Sequence, residues 1–486
     1  MTVVVGDELA DGSLVHAPPI HHSIGPGSKP NLGRGIPPPS SCNMILLSAG
    51  LSAGDSWVKF LAMRAACLCL LAALAAPLAA SPVRTLGLNE AYGLALQRSE
   101  GLGITREEIK IAEARYWQAV SAVLPQVDFL GSVRTQNNAG GSIGGDSTGA
   151  RKDRWEGRLR ITQTLFSGFR EFNTSAALKA DQRALAASLE RSRQLLYLDV
   201  SDLYYQVTTV EEDKAALEEI LGALRQRQQE LTERVSLGRS RKSELLAAET
   251  ELADTQATLE SLHGLLGAAR ELFAFLIGVP SHLYQLAPRP PLGVADKLES
   301  YLWNSGTRPD IQAASESATA ARRRTDAARG EFAPTIGGQF NWLALEDPER
   351  DQEWNIIVTM EVPVFDGGLR IAQLNERKAA ARASVLNLDR ARRLADNEVR
   401  VAYNNFTSAA AQAVRLRTAE ATARASYQAQ QEDYSLGRAS NLDVLTSLLR
   451  WKELARRRIA AESQTHATLV ALQVAAGIME EGSGKK

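Results

Sequence analysis

The sequence predicts a mainly α protein that carries a membrane β-barrel: a duplicated unit of long coiled-coil helices, with four strands per chain. Three observations predict it. First, landmarks recur at one fixed offset. Leu165-Phe166-Ser167-Gly168 returns as Val364-Phe365-Asp366-Gly367, and Ser236-Leu237-Gly238-Arg239 as Ser435-Leu436-Gly437-Arg438, which is internal duplication. Second, each copy holds a proline-free stretch, 168–235 and 367–434, whose apolar residues recur at gaps of three, four and seven. That is the rhythm of a coiled coil. Third, each copy holds two segments in which apolar and polar side chains alternate, the mark of strands with one dry and one wet face.

Residues 1–62 are rich in Gly, Pro and Ser without helical or strand period, and are expected to be a disordered extension foreign to the mature protein. Translation is expected to begin at Met63. Met63-Arg64 introduces an apolar run, 65–76, that ends in Pro77-Leu78-Ala79-Ala80-Ser81; this is a signal peptide over 63–80, too short an apolar run to span a bilayer. Cys67 and Cys69 sit inside that run without a lipoprotein-type ending, so no lipid anchor is expected. No later stretch is apolar enough for a membrane helix, so an exported chain that crosses a membrane does so with strands.

Composition narrows the chemistry. A net charge of −1 provides no basic field for nucleic acid. The 6 His include no pair at metal spacing, and the 3 Cys all precede Ser81, so neither a metal nor a cofactor is expected. There is no Gly-x-Ser-x-Gly, and the Gly-rich run 140–145 lacks the Lys-Ser/Thr end of a phosphate loop. No enzyme is predicted.

The first unit is placed at 81–295. Residues 88–123 read as one helix stopped by Pro125. Strands follow at about 126–136 and 154–165, joined by an Asn/Gly/Ser-rich loop over 137–152. In the second strand Trp155, Gly157, Leu159 and Ile161 share one face, and Glu156, Arg158, Arg160 and Thr162 the other. The long helix 168–235 makes a rod of roughly 100 Å, with a seam running from Leu196 through Val200, Leu217 and Leu224 to Leu231. Gly238 suits a left-handed cap, and a return helix occupies 240–277. Residues 281–295 are a Pro-rich linker. The second unit, 296–486, repeats the plan: a helix stopped by Pro334, strands at 335–345 and 353–362 around a charged loop at 346–353, and helices at 367–434 and 441–476. Its seam replaces many large residues by Ala.

Four strands cannot close, yet an open edge in lipid leaves backbone groups unpaired. Membrane barrels begin at eight strands, so a homotrimer with twelve strands is the simplest closed arrangement. Trp155, Trp342 and Trp354 lie near strand ends, where an aromatic girdle meets outer-membrane lipid. A soluble sandwich with helical arms is the other reading of the alternation.

The plan resembles the TolC family of Gram-negative outer-membrane efflux and secretion channels over about residues 85–478. The motifs are Leu124-Pro125 and Ala333-Pro334 before the strands, Phe166-Ser167-Gly168 and Val362-Pro363-Val364-Phe365-Asp366-Gly367-Gly368 after them, and the two Ser-Leu-Gly-Arg turns. Tyr434-Ser435-Leu436-Gly437 leading to Asp443-Val444-Leu445 is the strongest match. The resemblance implies a trimeric barrel continued by a periplasmic α-barrel, with tips that dock a periplasmic adaptor (membrane fusion) protein and, through it, an inner-membrane transporter.

By the same resemblance Asp443 lines the closed periplasmic aperture. The family's second acid one turn on is Thr446 here. Ser440-x-x-Asp443 also spells a capping box. Tyr434 belongs by resemblance to the network that closes the aperture, or else continues the heptad seam. The family's Arg beside that turn falls at Ala439, which removes its link to Ser243 and Glu244 and leaves Arg438 as a stand-in. Leu237, Gly238, Arg239, Leu436, Gly437 and Arg438 are the adaptor-docking candidates; capping explains the glycines but not the repeated Leu and Arg. Arg134, Glu156, Arg158, Arg160 and Glu361 face the barrel lumen, where they influence solute passage or keep the pore wet. Three functions stay open: the exit duct of a tripartite efflux system, that of a type I protein-secretion system, and a non-conducting periplasmic scaffold.

Overall fold

The computed structural model describes residues 84–136, 152–293, 295–345 and 353–479, all within the unit Ala80–Lys486. The expected extension (1–62), the signal peptide (63–80) and nearly all of both strand-connecting loops (137–151 and 346–352) lie outside the described residues.

The first unit begins with strand β1 (Arg84–Leu86) and helices α1 (Leu88–Arg98) and α2 (Glu100–Ser121). The single helix expected over 88–123 is therefore two. Ser99 leaves helical geometry (ψ 107°) and its Oγ accepts a hydrogen bond from the Leu102 amide at 3.3 Å. A serine satisfies such an orphan donor well, which makes it a place to restart a helix. Strands β2 (Gln126–Gln136) and β3 (Lys152–Phe166) follow, then helices α3 (Arg170–Ser236) and α4 (Lys242–Ile277) and strand β4 (Tyr284–Leu286). β1 and β4 pair in parallel over three residues, a ladder too short to leave a periodic signal in sequence. The second unit adds α5 (Leu298–Ser305), α6 (Pro309–Gly330), β5 (Thr335–Leu345), β6 (Trp354–Glu361), α7 (Leu369–Ser435) and α8 (Asn441–Ala475).

Both long helices start two residues later than the 168 and 367 read from sequence. Gly168 and Phe169 are both left-handed (φ 65° and 59°), as are Gly367 and Gly368 (69° and 89°), so the helical path is joined only at Arg170 and Leu369. Gly168 is also sterically required: a Cβ there would lie 2.2 Å from the Gly330 carbonyl oxygen. β6 is shorter than 353–362 because Pro363 has no N–H to extend the ladder. β3 is longer than 154–165 because Gln136 of β2 still pairs with Lys152.

α3 is the axis of packing. α2, α4, α6 and α8 all lie against it, whereas α7 packs chiefly on α6 and α8. The seam residues Leu196, Val200, Leu217, Leu224 and Leu231 are buried, as are Val399, Phe406, Ala409, Ala413 and Tyr427 on α7. One apolar cluster joins Tyr204 and Phe273 to Tyr284 of β4, with the Phe273 and Tyr284 rings edge to face at 5.6 Å. The Tyr204 hydroxyl donates to the Ala287 carbonyl at 2.7 Å, and burial pushes its pKa up to about 12.

The second sheet is antiparallel in the order β2-β3-β5-β6. Its register separates two faces. Val133 and Trp155 are partners, as are Phe129 and Leu159, then Leu159 and Trp342, Ile161 and Phe340, and Phe340 and Ile356. The opposite face aligns Asp128 with Arg160, Arg160 with Asn341, and Asn341 with Asn355. Among the described residues no helix is long and apolar enough to cross a membrane.

Candidate functional site at the helical tips

The helix pairs α3–α4 and α7–α8 turn over in the same way. Gly238 (φ 70°) donates to the Val235 carbonyl at 3.0 Å and Arg239 to Arg234 at 2.8 Å; Gly437 (φ 74°) donates to Tyr434 at 3.0 Å and Arg438 to Asp433 at 2.8 Å. These are paired Schellman closures, in which the glycine adopts the left-handed cap at little cost. Leu237 and Leu436 are left exposed on the turns. Arg438 is bonded through its backbone amide to the Asp433 carbonyl.

One link between the two repeats runs through Arg227, close to the turns. Arg227 of α3, 6% exposed, donates through Nε and Nη2 to Asn441 Oδ1 at 2.8 and 2.7 Å and through Nη1 to Glu230 Oε2 at 2.8 Å. Its guanidinium lies over the Tyr434 ring, 3.7 Å from the centroid, and Arg234 approaches the same ring at 4.6 Å. Asn441 Nδ2 in turn donates to the Glu244 carbonyl at 3.4 Å. Four helices meet here through one arginine and one asparagine. Tyr434 is part of this cluster; Arg227 and Asn441 are absent from the sequence-derived set. The available signal was Arg227 at the seam position between Leu224 and Leu231, where the heptad calls for an apolar residue.

Asp443 is exposed at the first turn of α8 and completes the capping box. The Ser440 amide donates to Asp443 Oδ2 at 2.9 Å, the Ser440 hydroxyl lies 2.6 Å from the same oxygen, and the Asp443 amide donates to Ser440 Oγ at 3.3 Å. The hydroxyl and the amide of Ser440 hold its carboxyl below the usual aspartate range. Asp443 and Thr446 line an open cleft with Gln430 and Arg450. In the other turn the Ser240 hydroxyl donates to Glu244 Oε2 at 2.6 Å.

On the polar face of the sheet, Arg158 pairs with Glu156. Arg160 Nε is buried without a hydrogen-bond partner among the described residues, and Glu361 lies exposed opposite Thr335. Arg134 pairs along the backbone with Arg154, and its side chain lies outside the described residues. Among the described residues no cluster of His, Cys, Asp or Glu is arranged to hold a metal ion.

A sheet dry on one face and wet on the other, joined to two helical hairpins whose longer arms run roughly 100 Å, is the architecture of a membrane channel protein. The chain belongs to the outer membrane efflux protein family, which matches residues 91–279 and 306–478. It is thus a Gram-negative outer-membrane protein reaching into the periplasm, from a family of ducts. The multidrug resistance outer membrane protein MdtQ of Escherichia coli O157:H7 is 26% identical over 327 residues, covering 63% of this chain and 67% of that protein. Among solved structures, CusC superposes with a TM-score of 0.73 at 21% identity, over 81% of this chain and 92% of that one. The outer membrane protein VceC from Vibrio cholerae gives 0.72 at 18% identity, over 80% and 96%.

Proposed function

We propose that the chain is the outer-membrane exit duct of a tripartite efflux system, passively conducting substrates delivered by an inner-membrane transporter and a periplasmic adaptor. One observation carries this reading. The four-stranded sheet is apolar across one face and polar across the other, and β2 and β6 end it as unpaired edges. In lipid those edges must pair, and three copies supply twelve strands, which close around a water-filled lumen. The name of MdtQ as a multidrug resistance protein supports efflux as the cargo class.

In this reading the cluster of Arg227, Tyr434 and Asn441 holds the periplasmic end narrow, Asp443 and Thr446 border the aperture, and the Leu-Gly-Arg turns at 237–239 and 436–438 meet the adaptor. The test is single-channel recording of detergent-purified protein in a planar bilayer, comparing wild type with Asp443→Ala. Discrete steps whose cation preference weakens in the variant are expected. Failure of folded protein to insert would refute the duct and favour a non-conducting scaffold.

A further inference from the structure

The polar face of the sheet is hollowed at the end nearer the helices. An open pocket of about 250 Å³ there is lined by Gln126 of β2, Thr162 and Thr164 of β3, Gly337 and Gln339 of β5, and Thr359 of β6. All four strands contribute because of their register. Gln126, Thr162 and Gln339 share one row, and Thr164, Gly337 and Thr359 share the next. These six residues bring amides and hydroxyls but no charge. At roughly 30 Å³ per water the volume holds about eight waters, which suits a small solute better than a drug-sized one.

Gly337 opens the pocket. A glycine inside a strand weakens it, and often marks a place where another backbone or a ligand comes close. No backbone does so here: a Cβ on Gly337 would meet nothing within 4 Å. A Cβ on Gly338, on the other face, would touch Leu165 at 3.4 Å. Packing bears on Gly338 and leaves Gly337 to the pocket.

The charge stands one row further from the helices. Arg160 lies two residues before Thr162 on the same face of β3, about 7 Å along the strand. Its Nε is buried without a hydrogen-bond partner among the described residues. Asp128 is its cross-strand partner on β2, yet is exposed and leaves that Nε without an acceptor. On the β5 side Asn341 is 4% exposed and already engaged. Its Oδ1 accepts from Gln339 Nε2 at 2.9 Å, and its Nδ2 donates to Asn355 Oδ1 at 2.7 Å. Arg158, one row beyond, is paired with Glu156. Glu361 lies past Thr359, on the opposite side of the pocket from Arg160. A buried guanidinium N–H calls for an acceptor, and the arginine fork matches a carboxylate through two parallel bonds.

We propose that this pocket binds a small hydroxylated carboxylate, with its carboxylate on Arg160 and its hydroxyls among Gln126, Thr162, Gln339 and Thr359. Glu361 repels the charged end and so sets the ligand's direction. The inference rests on the proposed duct only for the side to which this face turns, the lumen. There each copy holds one such station on the exit path.

The test titrates the detergent-purified chain with gluconate, a hydroxylated carboxylate, and separately with sorbitol, which keeps the hydroxyls and lacks the charge. Saturation-transfer NMR is expected to show saturable gluconate binding and much weaker sorbitol binding. Arg160→Gln is expected to weaken gluconate about tenfold or more, through loss of the charge-assisted pair. Gly337→Leu fills the pocket while favouring the strand, and is expected to abolish binding with Arg160 still in place. Far-UV circular dichroism checks that both variants are folded. In planar bilayers at constant ionic strength, gluconate is expected to lower the wild-type single-channel current with the same saturation, and to spare both variants. Equal binding of gluconate and sorbitol, no saturable gluconate binding to folded wild type, or binding that survives both substitutions would overturn the site and leave the duct standing. Saturable binding lost in both variants, without channel activity in the wild type, would uphold the site and overturn the duct.

Discussion

Arg227 is the residue on which the tip depends. It satisfies Asn441 twice, pairs with Glu230 and covers the Tyr434 ring. Hydrogen bonds to charged groups contribute about 1.5–3 kcal/mol each, and a desolvated cation–π contact about 2 kcal/mol. Arg227→Ala leaves the buried Asn441 Oδ1 without that donor, so in the proposed duct the narrowed tip loosens. The expected readout is a higher resting conductance in bilayers, with the barrel's heat-resistant trimer unchanged. Arg227→Lys should resemble Ala more than wild type, because a single ammonium cannot reproduce the planar fork and the stacking together. Asp443 makes a pH-dependent contribution. Its folded pKa is lowered by hydrogen bonds from Ser440, so the stabilisation is complete above the unfolded value and disappears as pH falls through the folded one. The protection of the Asp443 amide from exchange, relative to an unstructured peptide at the same pH, should therefore hold at neutral pH and fall below about pH 4, the ordinary carboxylate range. Unchanged protection there would remove Asp443 from the cap.

At the scale of elements, a close backbone approach joins the start of α3 to the end of α6. Gly168 and Gly330 meet backbone to backbone, and a Cβ on either would sit within 2.4 Å of the other's carbonyl oxygen. Gly168 in addition needs its positive φ. Gly168→Ala must then separate two helices or distort the entry to α3, and is expected to lower the unfolding temperature and the yield of folded protein. Gly238→Ala at the open turn meets no neighbour within 4 Å, so it should cost only about 1 kcal/mol of backbone strain. Near the middle of the first hairpin, Phe273 is fully buried against Tyr204 and Tyr284. Phe273→Ala is expected to destabilise by about 3–5 kcal/mol, as aromatic cavities do, measured by denaturant unfolding in detergent.

At the scale of the molecule, the sheet ends in two edges, β2 and β6, and α7 packs chiefly on α6 and α8; in the proposed duct the sheet edges are where copies join. Much of this plan was legible in sequence. The seam from Leu196 to Leu231 was visible because every third or fourth residue must be apolar to bury a helix on a partner, and the strand faces were visible because their period is two. The break at Ser99, the ladder of β1 with β4 and the short α5 were not legible, since none is long enough to show a period. Arg227 and Asn441 were hidden for a different reason: they lie 214 positions apart, and a polar residue in a seam does not reveal its partner.

The sequence by itself determined the duplication, the helix hairpins with their glycine turns, the two faces of the strands and the family, because each of these is written in local periodicity or in a short motif. Tertiary structure decided which residues meet at the tip, bringing Arg227 onto Asn441 and the Tyr434 ring, and that Gly168 lies against Gly330. Those depend on distances between segments remote in the chain, set by how one helix rotates and slides against another, and no local pattern encodes that rotation.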